Sequence, residues 1–574
     1  AAGTPNPPPN PNPPPSPTPN PIPNPNPTPT PHLLQLLPLL DAPEYVRERS
    51  GESSNVQLDL ALLFFLQQFR KVYVGDQATS SSKVYTRLHE KLGLSDHLAV
   101  LQVLVNKIVT NLKHRSEVSE VTEKTLALFS DLAGGYCSGK LLLKLENVHL
   151  ILASHTADEF PFLQVVANMR LRTTFYSTLC KLLFSDETNL RFKAFIAPFT
   201  QLFRQLGALS DAEFAAPAVR TALVGLLRDL RGVAIACSNR RTYTLFFEWL
   251  YPEYTPTLQR ACVTYFNAPE VTTPLLKLYA ELVYNKAQRL TFDSSSPNGI
   301  LLFRDASAIV VAYGRRVLEY SLPSGADPYR YKHKGISLCM LLLTRALSGN
   351  YVNFGVFALY GDRALSDCLQ VTINLCLCIS LEEVMSYTKV SKCYFTLLEL
   401  LMRNHAPMIC ELDTPVLVHI CRSLQEGLKS YEVAISSQCA AALEHLAAFH
   451  FRALTEERDR EGAKQQLQLH LSREPRLFSA SLEALLHMIV FEDCPNQWSL
   501  SRPLLALVLT NEDVFNQWKA SALSQQSTSP ERAQKLSVAF EKLMLEVQPT
   551  LEAKNRDKFT QNLTLFRHDI KNLF

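Results

Sequence analysis

The chain has 574 residues, of which 47% are hydrophobic and 19% are charged, and its formal net charge is +3. Single hydrophobic cores stop growing near roughly 250–300 residues, so this length excludes one compact core and predicts several domains or an elongated repeat array. The small net charge argues against binding to nucleic acid or to an anionic membrane, because both need a concentrated basic face. Glycine is scarce, with 19 residues, so the turn punctuation of an all-β protein is missing and helix is favoured.

The first 43 residues form a segment rich in proline and asparagine. Proline occupies every second position from Pro17 to Pro31. Such a composition cannot bury a core, so residues 1–43 are expected to be an extended, disordered tail. A spacer is favoured over a recognition motif in this segment. The chain begins at Ala1 rather than at a methionine, which suggests a fragment of a longer protein.

Helical periodicity begins at about Asn55 and continues to the C-terminus. Two clear apolar faces are Leu101, Leu104, Val105, Ile108 and Leu112, and Leu223, Leu226, Leu227, Leu230, Val233 and Ala234. No strand-like alternation separates the helices, so stacked helix pairs of about 40 residues, roughly 13 in number, are expected. The predicted fold is all-α: residues 44–574 form an α-solenoid of HEAT/armadillo-type helix pairs.

Helix start signals recur at short intervals along this region. Capping boxes are expected at Thr156 with Glu159, at Ser210 with Glu213 and at Ser380 with Glu383. Proline is expected at the first helical position at Pro274, Pro415 and Pro530. These signals predict helices of about 12–25 residues joined by short connectors.

One stretch, Gln288 to Arg304, combines strong turn residues with the start of an apolar helix. A helix is expected to begin at about Pro297, with Ser296 as its N-cap, while Gly299 tolerates backbone angles that other residues avoid. The apolar residues of this helix cover most of its circumference, which suits packing between neighbours: Ile300, Leu301, Phe303, Ile309, Val310, Val311 and Val317. We expect a structural hinge between helix pairs first and a binding surface second.

The 13 cysteines include no Cys-x-x-Cys pair and stand singly in apolar helical contexts, where free cysteine behaves as a small hydrophobe. This pattern fits a reducing compartment. The longest uncharged stretches, such as Cys368 to Leu381, contain polar residues and fall short of the roughly 20 apolar residues needed to span a bilayer. No membrane segment is predicted.

No motif makes a strong case for catalysis, a cofactor or a metal. Gly134 to Lys140 has the spacing of a phosphate-binding loop, but Leu141 replaces the Ser or Thr that would bind magnesium, and a helical pattern precedes it. A glycine pair that ends a helix is the simpler interpretation. His405, Cys410, His419 and Cys421 match no standard zinc spacing, so core packing is favoured for them. The chain is not predicted to be an enzyme.

The aromatic-rich stretch Thr244 to Pro252 could dock a hydrophobic motif of a partner, since exposed aromatic patches often mark interaction sites. Packing between helices is the favoured interpretation, with docking as the alternative.

Several long strings of unusual composition resemble the exportin-7 family, Ran-binding nuclear export receptors of the importin-β (karyopherin) superfamily. The resemblance spans nearly everything after residue 55, in the family's order. The strings are Leu223–Gly232, Phe247–Pro252, Thr272–Leu278, Phe292–Arg304, Leu347–Phe357, Phe491–Leu505 and Asn555–Leu563.

The resemblance implies a HEAT-type superhelix that shuttles between nucleus and cytoplasm. It would bind protein cargo and the GTP form of Ran on its inner surface, and phenylalanine-glycine nucleoporins on its outer surface. The family's N-terminal Ran-binding repeats have no counterpart in this sequence, so the chain corresponds to the C-terminal portion. Under this functional interpretation Asp293, Ser294, Asn298 and Arg304 would face the inner surface and contact Ran or cargo. The alternative is a helical-repeat scaffold without a transport role.

Overall fold

The computed structural model describes residues 53–73, 97–185, 189–292, 296–455, 461–492, 496–525 and 530–571. Over these residues the chain folds into 27 α-helices and no strand, which confirms the all-α prediction. The predicted disordered segment, residues 1–43, lies outside the described residues.

In chain order, the first fourteen helices are α1 (Ser53–Tyr73), α2 (His97–His114), α3 (Ser119–Gly134), α4 (Tyr136–Leu142), α5 (Glu146–Ala153), α6 (Arg172–Ser185), α7 (Asn189–Ala208), α8 (Asp211–Phe214), α9 (Pro217–Ala236), α10 (Arg240–Leu250), α11 (Thr255–Thr264), α12 (Pro269–Leu282), α13 (Asn298–Glu319) and α14 (Lys334–Leu347). The remaining thirteen are α15 (Gly355–Leu359), α16 (Ala364–Leu377), α17 (Leu381–Ser386), α18 (Thr388–Asn404), α19 (Ala406–Cys410), α20 (Thr414–Leu428), α21 (Val433–Thr455), α22 (Glu461–Arg473), α23 (Arg476–Phe491), α24 (Gln497–Thr510), α25 (Glu512–Gln525), α26 (Pro530–Leu543) and α27 (Ala553–Ile570).

Ten of these helices pack side by side in one continuous ladder. Each contacts the next in the order α1, α3, α6, α9, α12, α14, α18, α21, α24 and α27. A helix that touches mainly its two ladder neighbours and its own partner is the hallmark of a solenoid, so the predicted architecture is confirmed. The ladder has ten rungs in the described residues, where roughly 13 pairs were expected. The repeats are longer than about 40 residues because short helices such as α4, α8, α15 and α17 lie between the rungs.

A second layer packs against the ladder. Its first part runs through α2, α5, α7, α11, α13 and α16, and helix pairs such as α13 with α14 and α23 with α24 join the two layers. The hydrophobic core lies between the layers. Both predicted apolar faces are buried there as expected, that of α2 and that of α9.

Two of the three predicted capping boxes are confirmed, and in each a serine side chain caps the backbone. Ser210 and Ser380 each form a complete capping box, although the helices that follow, α8 and α17, are short. The capping box expected at Thr156 is wrong, because the chain forms only a turn there.

One of the three proline predictions is confirmed, because α26 begins at Pro530. Pro415 lies in the first turn of α20 but at its second residue, one position later than predicted. The start expected at Pro274 is wrong, because α12 already begins at Pro269 and carries Pro274 inside it. The earlier proline provides the same favourable φ at the first turn, so the helix starts there.

Cysteines in the described residues carry free thiols, and nine of them are buried. Burial raises the pKa of thiols such as those of Cys262 and Cys368 to about 12. Within the described ranges no helix combines the length and apolar character needed to cross a bilayer.

Candidate protein interface

The start of α13 lies one residue later than predicted. The helix begins at Asn298, with Pro297 in the N-cap position, whereas Pro297 and Ser296 were expected in these roles. The Ser296 hydroxyl still accepts a hydrogen bond from the Asn298 backbone N–H at 3.3 Å, so it satisfies one of the free donors of the first turn. The apolar residues of α13 are buried or half-buried as expected.

The chain that leads into α13 is anchored by a buried arginine. Arg289 is 1% exposed, and its guanidinium donates to the carbonyl oxygens of Ala234 and Cys237 at 2.6 and 2.7 Å and of Tyr284 at 3.0 Å. A further Arg289 nitrogen donates to the carbonyl and the carboxylate of Glu281. These carbonyls belong to the last turns of α9 and α12 and to the connection after α12. The side chain therefore satisfies groups that two helix ends would otherwise leave unpaired.

Neighbouring side chains extend this joint to α14. Asn285 donates to the carbonyl oxygen of Gly349 at 2.6 Å and accepts from the Leu290 N–H at 2.8 Å. Arg345 of α14 donates to the carbonyl oxygen of Ala280 at 2.7 Å. Three consecutive rungs are thereby tied together at one point, which supports the expectation that this stretch is first a structural junction.

A groove of about 490 Å³ opens beside this joint, between α10 and the start of α13. Its lining mixes cations, one carboxylate, polar groups and an aromatic ring: Arg240, Arg241, Thr244, Leu245, Glu248, Phe292, Ser296 and Asn298. We call these residues the α10–α13 groove. Such a mixture suits a protein segment better than a small apolar ligand, since the described lining contains no enclosed apolar wall.

The predicted site residues do not form one patch. Asn298 lies in the groove, where its amide makes a long hydrogen bond of 3.5 Å to Glu248. Arg304 lies six residues further along α13, on a different side of the helix, and forms an ion pair with Asp362 at 3.0 Å. Asp293 and Ser294 lie outside the described residues. Both described candidates belong to the second layer, and their contact with Ran or cargo remains a prediction.

Sequence patterns did not predict that Arg240 and Arg241, at the start of α10, line this groove. Asn239 caps α10 by accepting from the Thr242 N–H at 3.0 Å, and the two exposed residues that follow are Arg240 and Arg241. Cations in the first turn of a helix oppose its macrodipole. Two adjacent arginines there are an unfavourable choice for stability alone, and this was the available signal for a functional surface.

The aromatic stretch Thr244 to Pro252 has one face in the core and one beside the groove, and docking of a partner there stays a prediction. Phe246, Phe247 and Leu250 are buried in the core, which confirms packing between helices as their main role. Thr244 and Glu248, on the opposite face, line the groove.

The other motifs considered in the sequence, the glycine-containing stretch Gly134 to Lys140 and the group of His and Cys residues, have surroundings that fit a structural role. Helix α3 leads into Gly134 to Lys140, where a phosphate-binding loop would need a strand. The Lys140 ammonium donates a hydrogen bond to the Tyr136 hydroxyl at 2.7 Å. Cys410 and Cys421 are buried, and burial raises the pKa of each thiol to about 12. Among the described residues no cluster of His, Cys, Asp and Glu is arranged to hold a metal ion.

An aromatic pocket of about 300 Å³ lies between α23 and α25 of the second layer. Phe491 and Trp518, whose ring centroids are 6.4 Å apart, form its walls together with His487 and the small residue Ala522. Phe491 is 40% exposed, so the pocket is open to solvent. Its size and aromatic walls suit the side chain of an inserted phenylalanine.

Comparisons with known proteins agree with one another. The family model for exportin-7-like TPR domains matches residues 32–171. Exportin-7-B of Xenopus laevis is 42% identical over 551 residues, which are 94% of this chain and 50% of that protein. Ran-binding protein 17 of Mus musculus is also 42% identical, over 552 residues, with the same two coverages. Exportin-7 of Dictyostelium discoideum is 37% identical over 521 residues, 90% of this chain and 51% of that protein. The chain thus spans about half the length of the curated relatives it matches.

Proposed function

The chain belongs to the exportin-7 family, and we propose that it is the C-terminal portion of a nuclear export receptor that carries protein cargo through the nuclear pore under the control of Ran-GTP. The observation that carries this proposal is the 42% identity over 551 residues to Exportin-7-B. A solenoid is suited to the task, because its long surfaces can hold several partners at once. The receptor would shuttle between nucleus and cytoplasm.

Ran is the first proposed partner. The name Ran-binding protein 17 attributes Ran binding to a relative that is about twice as long as this chain. Tethering two contact areas can raise overall affinity by roughly 10²–10⁴, because the second encounter becomes intramolecular. We therefore expect these 574 residues to bind Ran-GTP more weakly than the longer relative, since we assign the main contact to N-terminal repeats outside this sequence.

Nucleoporins are the second proposed partner. Phenylalanine-glycine repeats would insert a phenylalanine into the aromatic pocket between α23 and α25, where Trp518 offers a large stacking surface. Protein cargo is the third proposed partner. The α10–α13 groove, which includes Asn298, is one candidate contact for it.

The decisive experiment is retention of the purified chain on a matrix of phenylalanine-glycine repeats. We expect selective retention that Trp518→Ala reduces. The matched control is Trp498→Ala, since Trp498 is 65% exposed and lies outside the pocket. Retention no better than that of an inert helical protein would favour the alternative function, a helical-repeat scaffold without a transport role.

A second experiment measures Ran binding directly. The chain and full-length Exportin-7-B of Xenopus laevis are each titrated with Ran loaded with a non-hydrolysable GTP analogue. We expect the affinity of the chain to be weaker by roughly 10²–10⁴. Equal and tight affinities would place the Ran site within this chain and contradict our assignment of it to the missing repeats.

A further inference from the structure

Six basic side chains gather on successive rungs of the ladder. Arg170 lies two residues before α6, Arg228 and Arg231 lie on α9, Lys277 on α12, Lys334 on α14 and Lys389 on α18. We call these six residues the basic cluster. These rungs contact one another in sequence, so residues up to 219 positions apart in the chain lie on or next to neighbouring helices.

The mutual effects of the charges show how close they are. Burial, followed by repulsion from Arg231, Lys334, Arg228 and Lys389, lowers the pKa of Lys277 to about 8. Burial also lowers the pKa of Lys334, and the four charges acting on it most strongly are again cations, including Arg170 and Lys389. Lys277 and Lys334 therefore stand at the centre of the cluster.

Among the described residues, Asp229 and Glu281 act favourably on Arg228 and Arg231, but no carboxylate forms an ion pair with a member of the cluster. Within the described ranges, none of its six side chains forms an ion pair or donates a side-chain hydrogen bond, and the buried Nε atoms of Arg228 and Arg231 have no acceptor. The two carboxylates that act favourably on Arg228 and Arg231 form their ion pairs with other residues. Asp229 pairs with Arg172, and Glu281 pairs with Lys286 and Arg289.

Four of the six cations are half-buried, namely Arg228, Arg231, Lys277 and Lys334, and Arg170 and Lys389 are exposed. Half-buried cations without ion-pair partners cost free energy through mutual repulsion and loss of hydration. Such a cost is offset when an anionic partner docks, and a locally positive potential also speeds its encounter. We propose that the basic cluster is a docking site for an acidic segment of a protein partner, that is, a run of Asp and Glu residues. The identification of this partner as export cargo rests on the proposed function.

The distribution of charge favours an acidic protein segment over nucleic acid. The whole chain contains 57 Lys and Arg against 54 Asp and Glu, so outside the cluster 51 cations face 54 anions. A long polyanion that continued along the chain's surface beyond the cluster would find no excess of cations in this total. A short acidic segment would contact the cluster alone. Nearby Tyr329 and Tyr387 stack on each other, with ring centroids 4.9 Å apart, rather than presenting free faces to bases.

The test measures binding of a fluorescent oligoglutamate peptide to the purified chain by anisotropy, at ionic strength near 0.15 M. An oligoglutamine peptide of equal length is the uncharged probe. The variant Lys277→Gln/Lys334→Gln removes two charges at the centre of the cluster. The control variant Lys124→Gln/Lys193→Gln removes two charges from exposed positions elsewhere, so both variants have the same net charge.

We expect the wild-type chain to bind oligoglutamate but not oligoglutamine. The cluster variant should bind at least about tenfold more weakly and the control variant within about twofold, because partly buried charges interact more strongly than exposed ones. Thermal unfolding checks the fold. The cluster variant should unfold at the same or a higher temperature than wild type, since repulsion is relieved.

Three results would overturn the proposal: no binding of oligoglutamate by the wild-type chain, equal loss in both variants, or tighter cluster-dependent binding of a single-stranded oligonucleotide of equal charge. The proposed function is tested separately by retention on phenylalanine-glycine repeats. A chain that binds oligoglutamate through the cluster but fails that retention would keep the acidic-segment site and lose the transport role. A chain that is retained on phenylalanine-glycine repeats but does not bind oligoglutamate through the cluster would keep the transport role and lose the acidic-segment site.

Discussion

The guanidinium of Arg289 and the carboxylate of Glu281 form an ion pair at 3.2 Å in which the arginine side chain is completely buried. The same guanidinium is shielded from solvent and donates to backbone carbonyls at the ends of α9 and α12. A lysine could not serve in this position, because a single ammonium cannot reach acceptors on both sides as a planar guanidinium does. One side chain thus ties the end of α9 to the end of α12.

We predict that Arg289→Met destabilises the junction of α9, α12 and α13 by about 3–5 kcal/mol. The substitution keeps an apolar stem but leaves several carbonyls buried without donors, and it removes one of the cations that pair with the Glu281 carboxylate, which keeps Lys286. Hydrogen exchange of the amides in residues 279–292 measures the free energy of local opening. Arg220→Ala is the control, because Arg220 and Glu270 form an exposed ion pair that contributes about 1 kcal/mol or less. Equal effects of the two substitutions would contradict the prediction.

Gly299 provides a second test of the junction. It lies in the first turn of α13, in helical conformation, so a positive φ is not the reason for glycine at this position. A Cβ atom there would lie 2.5 Å from the backbone carbonyl oxygen of Tyr351, which cannot rotate away. We predict that Gly299→Ala destabilises the chain by about 1–3 kcal/mol.

The matched control for this substitution is Gly462→Ala in α22. A Cβ at Gly462 meets no atom within 4 Å, so alanine should be neutral or stabilise the helix by up to about 1 kcal/mol. Thermal unfolding of both variants measures the difference. If Gly299→Ala left the melting temperature unchanged but abolished partner binding, the stretch would be a binding surface first and a junction second.

Residue patterns were sufficient to predict the helices and the solenoid. The faces of α2 and α9 repeat at helical spacing, and such periodicity depends only on neighbouring residues. The capping boxes at Ser210 and Ser380 were predictable for the same reason, because each depends on residues only three positions apart. Pro274 misled the prediction because Pro269 had already supplied the helix start, and sequence cannot rank two adequate signals.

The site was much less predictable, because its parts come from distant segments. Arg289 looks like an ordinary exposed arginine in the sequence, and only tertiary packing brings the ends of α9 and α12 to it. The net charge of +3 suggested no concentrated basic face, yet it averages over a cluster drawn from five separate segments. Asn298 and Arg304 were grouped by proximity in sequence, although helical rotation directs them to different neighbours.

Lowering the pH should reduce the free energy of unfolding, because His155 is buried in its neutral form. This histidine lies in the connection after α5 and is buried against α6 and α7, with Nε2 at 2.9 Å from the carbonyl oxygen of Phe195 and its ring stacked on that of Phe195 at 4.1 Å. Burial lowers its pKa from 6.5 to about 4. The unfolded chain therefore binds a proton that the folded chain rejects between these pH values. The associated stability is complete above pH 6.5 and is lost as pH falls towards 4, with a loss of about 2 kcal/mol by pH 5.

The measurement is the dependence of thermal unfolding on pH from 7 to 5. His155→Gln should flatten part of the decline, since glutamine does not titrate. It should not remove the decline entirely, because burial also lowers the pKa of His450 to about 4. His568→Gln, at an exposed position of α27, serves as the control and should leave the profile unchanged. A decline of the same size in the His155 variant would assign the acid sensitivity to other groups.

The last prediction separates the two described residues of the candidate interface. Asn298 faces Arg241 and Glu248 across the α10–α13 groove, whereas Arg304 is engaged by Asp362 on another side of α13. If Ran or cargo occupies the groove, Asn298→Ala should weaken binding by about fivefold or more, because a buried polar partner would lose its hydrogen bond. Arg304→Ala should then change affinity by less than about twofold. Titration with Ran loaded with a non-hydrolysable GTP analogue measures both variants, and the reverse ranking would move the interface to the surface around Asp362.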